Sequence, residues 1–242
     1  MSKTLLEAKN ISKTFGEGHV QVRAVDKANL TLKGGELTLL MGPSGSGKTT
    51  LLSILGCMLT PAKGTLNICG NAVENAGPER LAEIRRSHIG FIFQSYHLFP
   101  TLTAAENIQL ALDIRGKNGS KAAEKSHRLL EKVGLSRKSK AFPRQMSGGE
   151  QQRVAIARAI VADPSVILAD EPTAALDTNN GRAVMNILSE LARDRDSAVL
   201  VVSHDPRAIP FADRIIYIED GILKNEDPAA RTERKGTRQR KN

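Results

Sequence analysis

Aromatic residues are scarce in this chain of 242 residues: it has no Trp, two Tyr and six Phe, which together make up 3% of the sequence. The hydrophobic core is therefore expected to consist mainly of aliphatic side chains. No apolar run approaches the roughly 18 residues that a helix needs to cross a bilayer. Residues 1–7 lack the apolar centre of a signal peptide. These absences argue against a membrane-spanning or secreted protein and favour a cytoplasmic one.

Cysteine is also rare, since Cys57 and Cys69 are the only two in the sequence. Two separated cysteines in a chain without a signal peptide favour small buried residues over a disulfide or a metal-binding pair. The five histidines have no metal-ligand spacing with each other or with these cysteines. The sequence therefore argues against a disulfide-stabilised scaffold and against a Cys/His metal site.

Acidic residues are nearly absent from the C-terminal segment, which carries more than half of the net charge of +9. Residues 231–242 contain six Lys and Arg against one Glu. Because this segment has no large apolar residue, residues 229–242 are predicted to form a disordered basic tail. It could raise solubility or be attracted to the anionic face of a membrane. Nucleic-acid binding is not expected, because the tail has no aromatic side chain to stack on a base.

The segment Gly42–Thr49 fits the phosphate-binding pattern G-x-x-x-x-G-K-[ST]. A buried strand is predicted before it at Leu37–Met41 and a helix after it at Lys48–Leu59, so that loop N–H groups and the helix N-terminus face one anion. Lys48 is predicted to reach the β- and γ-phosphates of a nucleoside triphosphate, and the Thr49 hydroxyl to hold Mg²⁺. The predicted nucleotide-binding residues of this segment are Gly42, Pro43, Ser44, Gly45, Ser46, Gly47, Lys48, Thr49 and Thr50.

Strand-like and helical runs alternate over much of the chain. The alternation favours an α/β fold with a mainly parallel sheet. Between the predicted strands Ile89–Phe93 and Val166–Ala169 the periodicity is helical, so a helical subdomain is predicted at about 95–162. The N-terminal run Val20–Leu32 alternates poorly and is compatible with a hairpin or a meander.

Two carboxylates, Asp170 and Glu171, directly follow the predicted strand Val166–Ala169. Ligands of open α/β sheets bind beyond the carboxyl ends of the strands, which places this pair beside the phosphate loop. Asp170 is predicted to contact Mg²⁺, and Glu171 to accept a proton from an attacking water. Taken alone, the pair would be more typical of a helix cap or an exposed turn.

A second helix start suited to phosphate lies at Ser147–Gly149. Ser147 is a natural N-cap, and the two glycines leave backbone N–H groups open to an anion. The predicted helix Gly149–Ala162 follows it and is strongly apolar. From these residues alone, a plain cap and a phosphate-binding turn are equally supported.

Together these motifs resemble the ATP-binding subunit of an ABC transporter, over roughly residues 5–227. The segment 146–152 is similar to the family signature Leu-Ser-Gly-Gly-Gln and departs from it at Met146 and Glu150. By this resemblance, Gln94 matches the glutamine that senses Mg²⁺ and the membrane partner, and His204 matches the histidine that contacts the γ-phosphate. Phe15 falls where the family places an aromatic ring under the adenine, although a core position is also compatible with it.

The resemblance implies a P-loop NTPase core at 1–228 with an N-terminal antiparallel β subdomain and an inserted α-helical subdomain. It also implies a homodimer in which two cassettes pack head to tail, with ATP between the phosphate loop of one and the signature helix of the other. Ser147, Gly148 and Gly149 would then act in trans. The implied catalytic residues are Lys48, Glu171 and His204. The implied contacts to Mg²⁺ are Thr49, Gln94 and Asp170.

The resemblance further implies an integral membrane permease as a partner. The segment Ala175–Asp177 looks like the one that crosses the dimer interface in this family. The segment Tyr96–Asn107 would form the groove that receives a coupling helix of the permease. The expected location is therefore cytoplasmic, at the inner face of the cell membrane through the permease.

Residues 89–98 and 167–173 are most similar to the macrolide-exporter and lipoprotein-releasing branch, including glycolipid-exporter-like members. This implies an ATP hydrolase that drives a separate permease, exporting a lipophilic or amphipathic substrate. Residues 98–103 also occur in importers, so the ATPase of a polar amino-acid importer is an alternative. A soluble ABC ATPase acting on nucleic acid or ribosomes is a second alternative. A phosphate-loop kinase is more distant, because it would not need the signature turn or His204.

Overall fold

A computed structural model describes residues 2–16 and 21–224, with the side chain of Arg195 excepted. The predicted tail at 229–242 and Val20, the first residue of the predicted run Val20–Leu32, lie outside these residues. Within the described ranges, no helix combines the length and the apolar composition that a membrane span requires.

The described residues form two sheets and a set of helices. In chain order the strands are β1 (Thr4–Phe15), β2 (Val22–Lys33), β3 (Leu37–Met41), β4 (Lys63–Ile68), β5 (Asn71–Ala72), β6 (Ile89–Ile92), β7 (Val166–Asp170), β8 (Ala198–Ser203), β9 (Arg214–Glu219) and β10 (Ile222–Lys224). The α-helices are α1 (Lys48–Leu55), α2 (Pro78–His88), α3 (Ala104–Asp113), α4 (Ser120–Lys132), α5 (Gly148–Ile160) and α6 (Thr178–Arg195). Short 3₁₀ helices lie at Ser136–Lys138, Pro143–Gln145 and Pro206–Phe211.

The larger sheet has the strand order β10-β9-β3-β8-β7-β6. Neighbours from β9 to β6 run parallel, whereas β10 pairs antiparallel with β9. This confirms the predicted α/β fold with a mainly parallel sheet. Because β8 lies between β3 and β7, the segments that follow these three strands meet at one edge of the sheet.

The central strands of the larger sheet are buried on both faces. In β8, Val199 and Val201 belong to the hydrophobic cluster that includes α3 to α6. Ala198, Leu200 and Val202 belong to the opposite cluster, which includes α1 and the N-terminal strands. Burial of both faces explains why these strands are continuous aliphatic runs rather than alternating ones.

The smaller sheet is antiparallel, with the order β2-β1-β4-β5. It confirms the predicted N-terminal antiparallel subdomain. The run Val20–Leu32, predicted as a hairpin or a meander, forms from Val22 onward a single strand that pairs with β1. The register between β1 and β2 shifts at several points, and both Asn10 (φ 52°) and Lys27 (φ 46°) have left-handed backbone conformations. These irregularities account for the poor alternation of the second run, since a bulge moves later side chains to the other face.

The segment between β6 and β7, all of which is described, contains α3, α4 and α5 and no strand, as predicted. Helix α3 packs against α4 and α5, and their buried residues share one cluster with the sheet. The boundaries proposed for the helical subdomain (95–162) and for the whole domain (1–228) stay predictions.

Two local predictions were wrong. Helix α1 ends at Leu55 rather than Leu59, because Gly56 caps it: the Gly56 N–H donates to the carbonyl of Leu52, and the next N–H, of Cys57, donates to the carbonyl of Ile54. Cys57 therefore lies in a turn (φ 53°) rather than on the helix, although it is buried as expected. The short strands β5 and β10 were also missed, although the Asp220-Gly221 dipeptide before β10 is a typical hairpin signal.

We expect Gly90→Ala to destabilise the fold, because the added Cβ would lie 2.5 Å from the carbonyl oxygen of Ala159 and 2.9 Å from Pro164. Since one close contact is with backbone, the loss should be about 2–3 kcal/mol of unfolding free energy, measured by urea denaturation. Gly77→Ala is the matched control, because nothing lies within 4 Å of its added Cβ and its φ is −68°. Equal stabilities of the two variants would contradict the close packing of β6 on α5.

Candidate nucleotide-binding and catalytic site

The predicted phosphate loop connects β3 to α1 and is held between two strands of different sheets. A Cβ on Gly47 would lie 2.0 Å from the carbonyl oxygen of Ala24 in β2, and Gly47 has a left-handed φ of 98°. A Cβ on Gly42 would lie 2.2 Å from the carbonyl oxygen of Ile218 in β9. These two positions therefore require glycine, because any larger residue would push the loop off its supports.

Lys48 is only 6% exposed, although it carries a charge. Its Nζ donates hydrogen bonds to the carbonyl oxygens of Gly42 (2.9 Å) and Pro43 (2.6 Å). The loop therefore bends around the ammonium group. Ser46 is 2% exposed, and its buried Oγ has no hydrogen-bond partner within the described residues.

Asp170 ends β7 and faces the start of α1. The Thr49 hydroxyl is 3.5 Å from Asp170 Oδ1. Burial raises the pKa of Asp170 above its ordinary value, and the hydrogen bond from Thr49 opposes that shift. A hydroxyl and a partly buried carboxylate this close together suit Mg²⁺, which prefers hard oxygen ligands and would compensate the buried negative charge. The residues present therefore fit the predicted metal.

Glu171 has a left-handed backbone conformation with φ 43°, which is unusual for a residue other than glycine. Its N–H donates to the carbonyl oxygen of Val202 at 3.0 Å, which ties it to the end of β8. Its Oε1 lies 2.9 Å from Nδ1 of His204. The predicted pair of catalytic side chains is thus in direct contact.

Several of these groups line one cavity of about 790 Å³, but the predicted site residues Gly42, Ser46 and Asp170 are not among its described lining residues. Its lining residues are Val22, Arg23, Ala24, Pro43, Ser44, Gly45, Gly47, Lys48, Thr49, Thr50, Gln94, Glu171, His204, Asp220 and Gly221. The fold thus brings together predicted site residues from four separate segments of the chain. Phe15 is not among the lining residues, but it pairs across the sheet with Val22, which is.

The second predicted helix start lies elsewhere. Ser147 is the N-cap of α5 in a capping box, where its N–H donates to Glu150 (2.8 Å) and its Oγ accepts from the Glu150 N–H (3.3 Å). The hydrogen bond from the Ser147 N–H lowers the pKa of Glu150. Lys138 lies 3.5 Å from the same carboxylate. None of Ser147, Gly148 and Gly149 is among the described residues that line the cavity.

Comparison with known proteins identifies the family. Residues 25–174 match the family described as ABC transporter. The chain belongs to the ABC transporter family. This cassette is 44% identical to the macrolide export ATP-binding/permease protein MacB of Salmonella typhimurium strain LT2 over 230 residues, which are 95% of the cassette and 35% of that protein. It is 42% identical to MacB of Shigella flexneri over 225 residues, with 93% and 35% covered.

A solved homologue shares the fold of the cassette. The ATP-binding cassette MJ0796, in a dimeric post-hydrolysis structure with ADP and Pi, matches with a TM-score of 0.85 at 39% identity, covering 92% of this chain and 98% of that chain. A second dimeric structure of MJ0796 matches with a TM-score of 0.84. The cassette thus spans about a third of the MacB proteins and nearly all of MJ0796.

A polar network that sequence reasoning missed joins the signature helix to the start of α6. Asp177 caps α6 by accepting from the N–H groups of Asn179 and Asn180. The Asn180 side chain donates to Asp177 (2.6 Å) and accepts from Arg153 of α5 (3.0 Å). A Cβ on Gly149 would lie 2.6 Å from the same amide. The predicted interface segment and the signature helix of the cassette are therefore packed as one unit.

A second missed residue is Arg158 in the signature helix. Its guanidinium donates to the carbonyl oxygens of His97 (2.5 Å) and Tyr96 (2.8 Å). Both residues are left-handed, with φ 47° and 59°. Burial lowers the pKa of Arg158. The only sequence signal was an arginine in an otherwise apolar helical stretch, and it gave no indication of the partner.

We expect Asp170→Asn to stabilise the cassette at neutral pH. Because burial raises the pKa of Asp170 in the folded protein, stability falls as pH rises from the ordinary carboxyl pKa through the higher folded value. The Asn variant lacks this loss and keeps an oxygen acceptor for Thr49. The gain should be about 1 kcal/mol at pH 7, measured by urea denaturation without nucleotide, and should shrink toward pH 4. A gain that does not depend on pH would contradict this explanation.

Proposed function

We propose that the cassette binds ATP with Mg²⁺ and hydrolyses it between two copies of itself to drive a membrane permease. This proposal rests on the separation of two helix N-termini that are both suited to bind phosphate, those of α1 and α5. Helix α1 opens into the cavity, whereas Ser147 at the start of α5 lies outside its lining. A second copy can complete the site, and the homologous cassette MJ0796 is dimeric in both solved structures, one of which is bound to ADP and Pi.

The phosphates of ATP bind at the loop between β3 and α1. Loop N–H groups and the start of α1 carry partial positive charge toward the cavity. Lys48 adds a full charge that is nearly withdrawn from water, where its attraction to a phosphate is stronger than at an exposed site. The loop carbonyls that hold its ammonium keep it in place for the β- and γ-phosphates.

Thr49 and Asp170 would hold Mg²⁺ together with Gln94, which lines the cavity with Thr49. Bound there, the metal would neutralise negative charge on the phosphoryl oxygens. Thr49 contributes a neutral ligand at the helix start, and Asp170 contributes a charged one at the end of β7. Because α1 holds one residue and β7 the other, the positions of the two oxygens relative to each other are fixed.

Glu171 acts as the general base. It takes a proton from a water as the water oxygen bonds to the γ-phosphorus, while the bond to the leaving ADP oxygen breaks. His204 contacts Glu171 at 2.9 Å and orients the carboxylate within the cavity. By family resemblance it also contacts the γ-phosphate, and Phe15 stacks under the adenine.

The second half of the site comes from the signature helix of the other cassette. Ser147, Gly148 and Gly149 of the partner subunit bind the γ-phosphate with a hydroxyl and with N–H groups at the start of α5. Closure of the pair then requires ATP, and hydrolysis followed by product release opens it. The contact between α5 and residues 96–97 through Arg158 moves the loop after Gln94 together with the signature helix.

The transport role rests on the similarity to the MacB exporters. We propose that the segment 96–107 docks the permease, that the cassette lies at the inner face of the membrane through this contact, and that the cargo is lipophilic or amphipathic. Phe99, within this segment, is 49% exposed. The buried side chain of Asn107 bonds the backbone of Phe99, Leu102 and Thr103, which fixes the shape of the loop.

We expect Glu171→Gln to retain ATP binding but to lower turnover at least 100-fold, because the amide cannot accept the proton. The variant should accumulate as an ATP-bound dimer, seen as an earlier peak in gel filtration with ATP than without it. Lys48→Ala is the control. It should lose nucleotide binding or turnover and stay monomeric with ATP.

A Glu171→Gln variant that remained monomeric with saturating ATP would be evidence against the shared site. Undiminished turnover by Lys48→Ala would refute the assignment of the phosphate loop.

The permease is tested by purifying the tagged cassette from detergent-solubilised membranes of its source. A co-purifying integral membrane protein supports the transport role. ATPase activity stimulated by DNA or ribosomes, without any membrane partner, would contradict it.

A further inference from the structure

The start of β2 forms one wall of the nucleotide cavity. Val22, Arg23 and Ala24 all line it. Val22 pairs across the sheet with Phe15, on the side proposed for the adenine. The carbonyl of Ala24 meets Gly47 of the phosphate loop. Arg23 therefore lies in β2 between Val22, which is next to the proposed adenine site, and Ala24, which contacts the phosphate loop.

The Arg23 side chain is weakly held. It is 65% exposed, and its one recorded partner within the described residues is Asp26, whose carboxylate lies 2.8 Å from a terminal nitrogen. Exposed ion pairs of this kind add little to stability, because water and salt screen them. A guanidinium carries five N–H donors, and this bond uses one of them. Exchange of Asp26 for a stronger anion therefore costs little.

Arg23 differs from the other charged residues that line the cavity. Among the described lining residues, the cation Lys48 is nearly buried in the phosphate loop, and His204 contacts Glu171. Asp220 and Glu171 contribute negative charge. Arg23 is thus the exposed, permanently charged cation of this lining. A polyanionic ligand would attract it more strongly than the single carboxylate of Asp26 does.

We propose that Arg23 is a nucleotide-binding residue that leaves Asp26 and donates to the α-phosphate of the bound nucleotide. Its place between the base wall and the phosphate loop favours the α-phosphate, which joins those two parts of the ligand. The inference rests on the proposed binding of ATP. It adds a contact outside the phosphate loop and one that ADP shares with ATP.

The test is calorimetric titration of the full chain with ATP and with ADP. Arg23→Ala should weaken both nucleotides by a similar factor, about fivefold to tenfold. Adenosine, measured as a competitor of ADP, should lose no affinity, because it lacks the phosphate. Arg80→Ala is the matched control. Arg80 is also paired three residues along, with Glu83 at 2.6 Å, and is 50% exposed, but it does not line the cavity.

Asp26→Asn separates binding from support of the strand. If Arg23 binds the nucleotide, release from Asp26 should leave ADP affinity unchanged or raise it. If the pair only supports β2, Asp26→Asn should weaken ADP as Arg23→Ala does, and the inference is then wrong. It is also wrong if Arg23→Ala and Arg80→Ala both bind like the unmodified chain. Failure of the unmodified chain to bind any nucleotide would instead overturn the proposed function itself.

Discussion

Burial of the central strands on both faces is the constraint on which the site depends. Because β3, β7 and β8 are covered by helices on one side and by α1 and the smaller sheet on the other, their order and register are fixed. Their carboxyl ends then align, and the phosphate loop, Asp170, Glu171 and His204 follow from strands that are neighbours in space. Aliphatic packing therefore positions the strands that carry these residues, and polar contacts such as that of His204 with Glu171 then orient the side chains.

The predicted site residues are held in place in different ways, and some of them at a cost in stability. Gly42 and Gly47 fix the loop to both sheets, so the loop is preorganised by backbone contacts. Glu171 keeps a left-handed backbone conformation that its surroundings must impose, which is a common cost at functional positions. Asp170 is held in an environment that disfavours its charge. Stability is thus given up at positions that we propose to bind phosphate and metal.

Much of the fold and of the candidate site could be predicted from the sequence. The remainder could not, mainly because it depends on contacts between residues that are distant in the chain. The phosphate loop, the carboxylate pair and the parallel strands have local patterns, so they could be found one segment at a time. Arg158 binds carbonyls about 60 residues away, and Arg153 meets Asn180 from another helix. Such pairs have no local signature, and Arg23 lines the cavity only because β2 packs beside the loop. The predicted end of α1 was wrong because Gly56 caps the helix although apolar residues continue beyond it.

The departure of the cassette from its family signature at Glu150 acquires a meaning from the capping box. A capping box accepts Glu and Gln alike, so the exchange leaves the helix start intact. It does add a negative charge next to the turn where a partner's phosphate would approach. Lys138, 3.5 Å away, carries the opposite charge. The two residues therefore form a locally neutral set, and an evolutionary change at one of them would be tolerated best when the other changes with it.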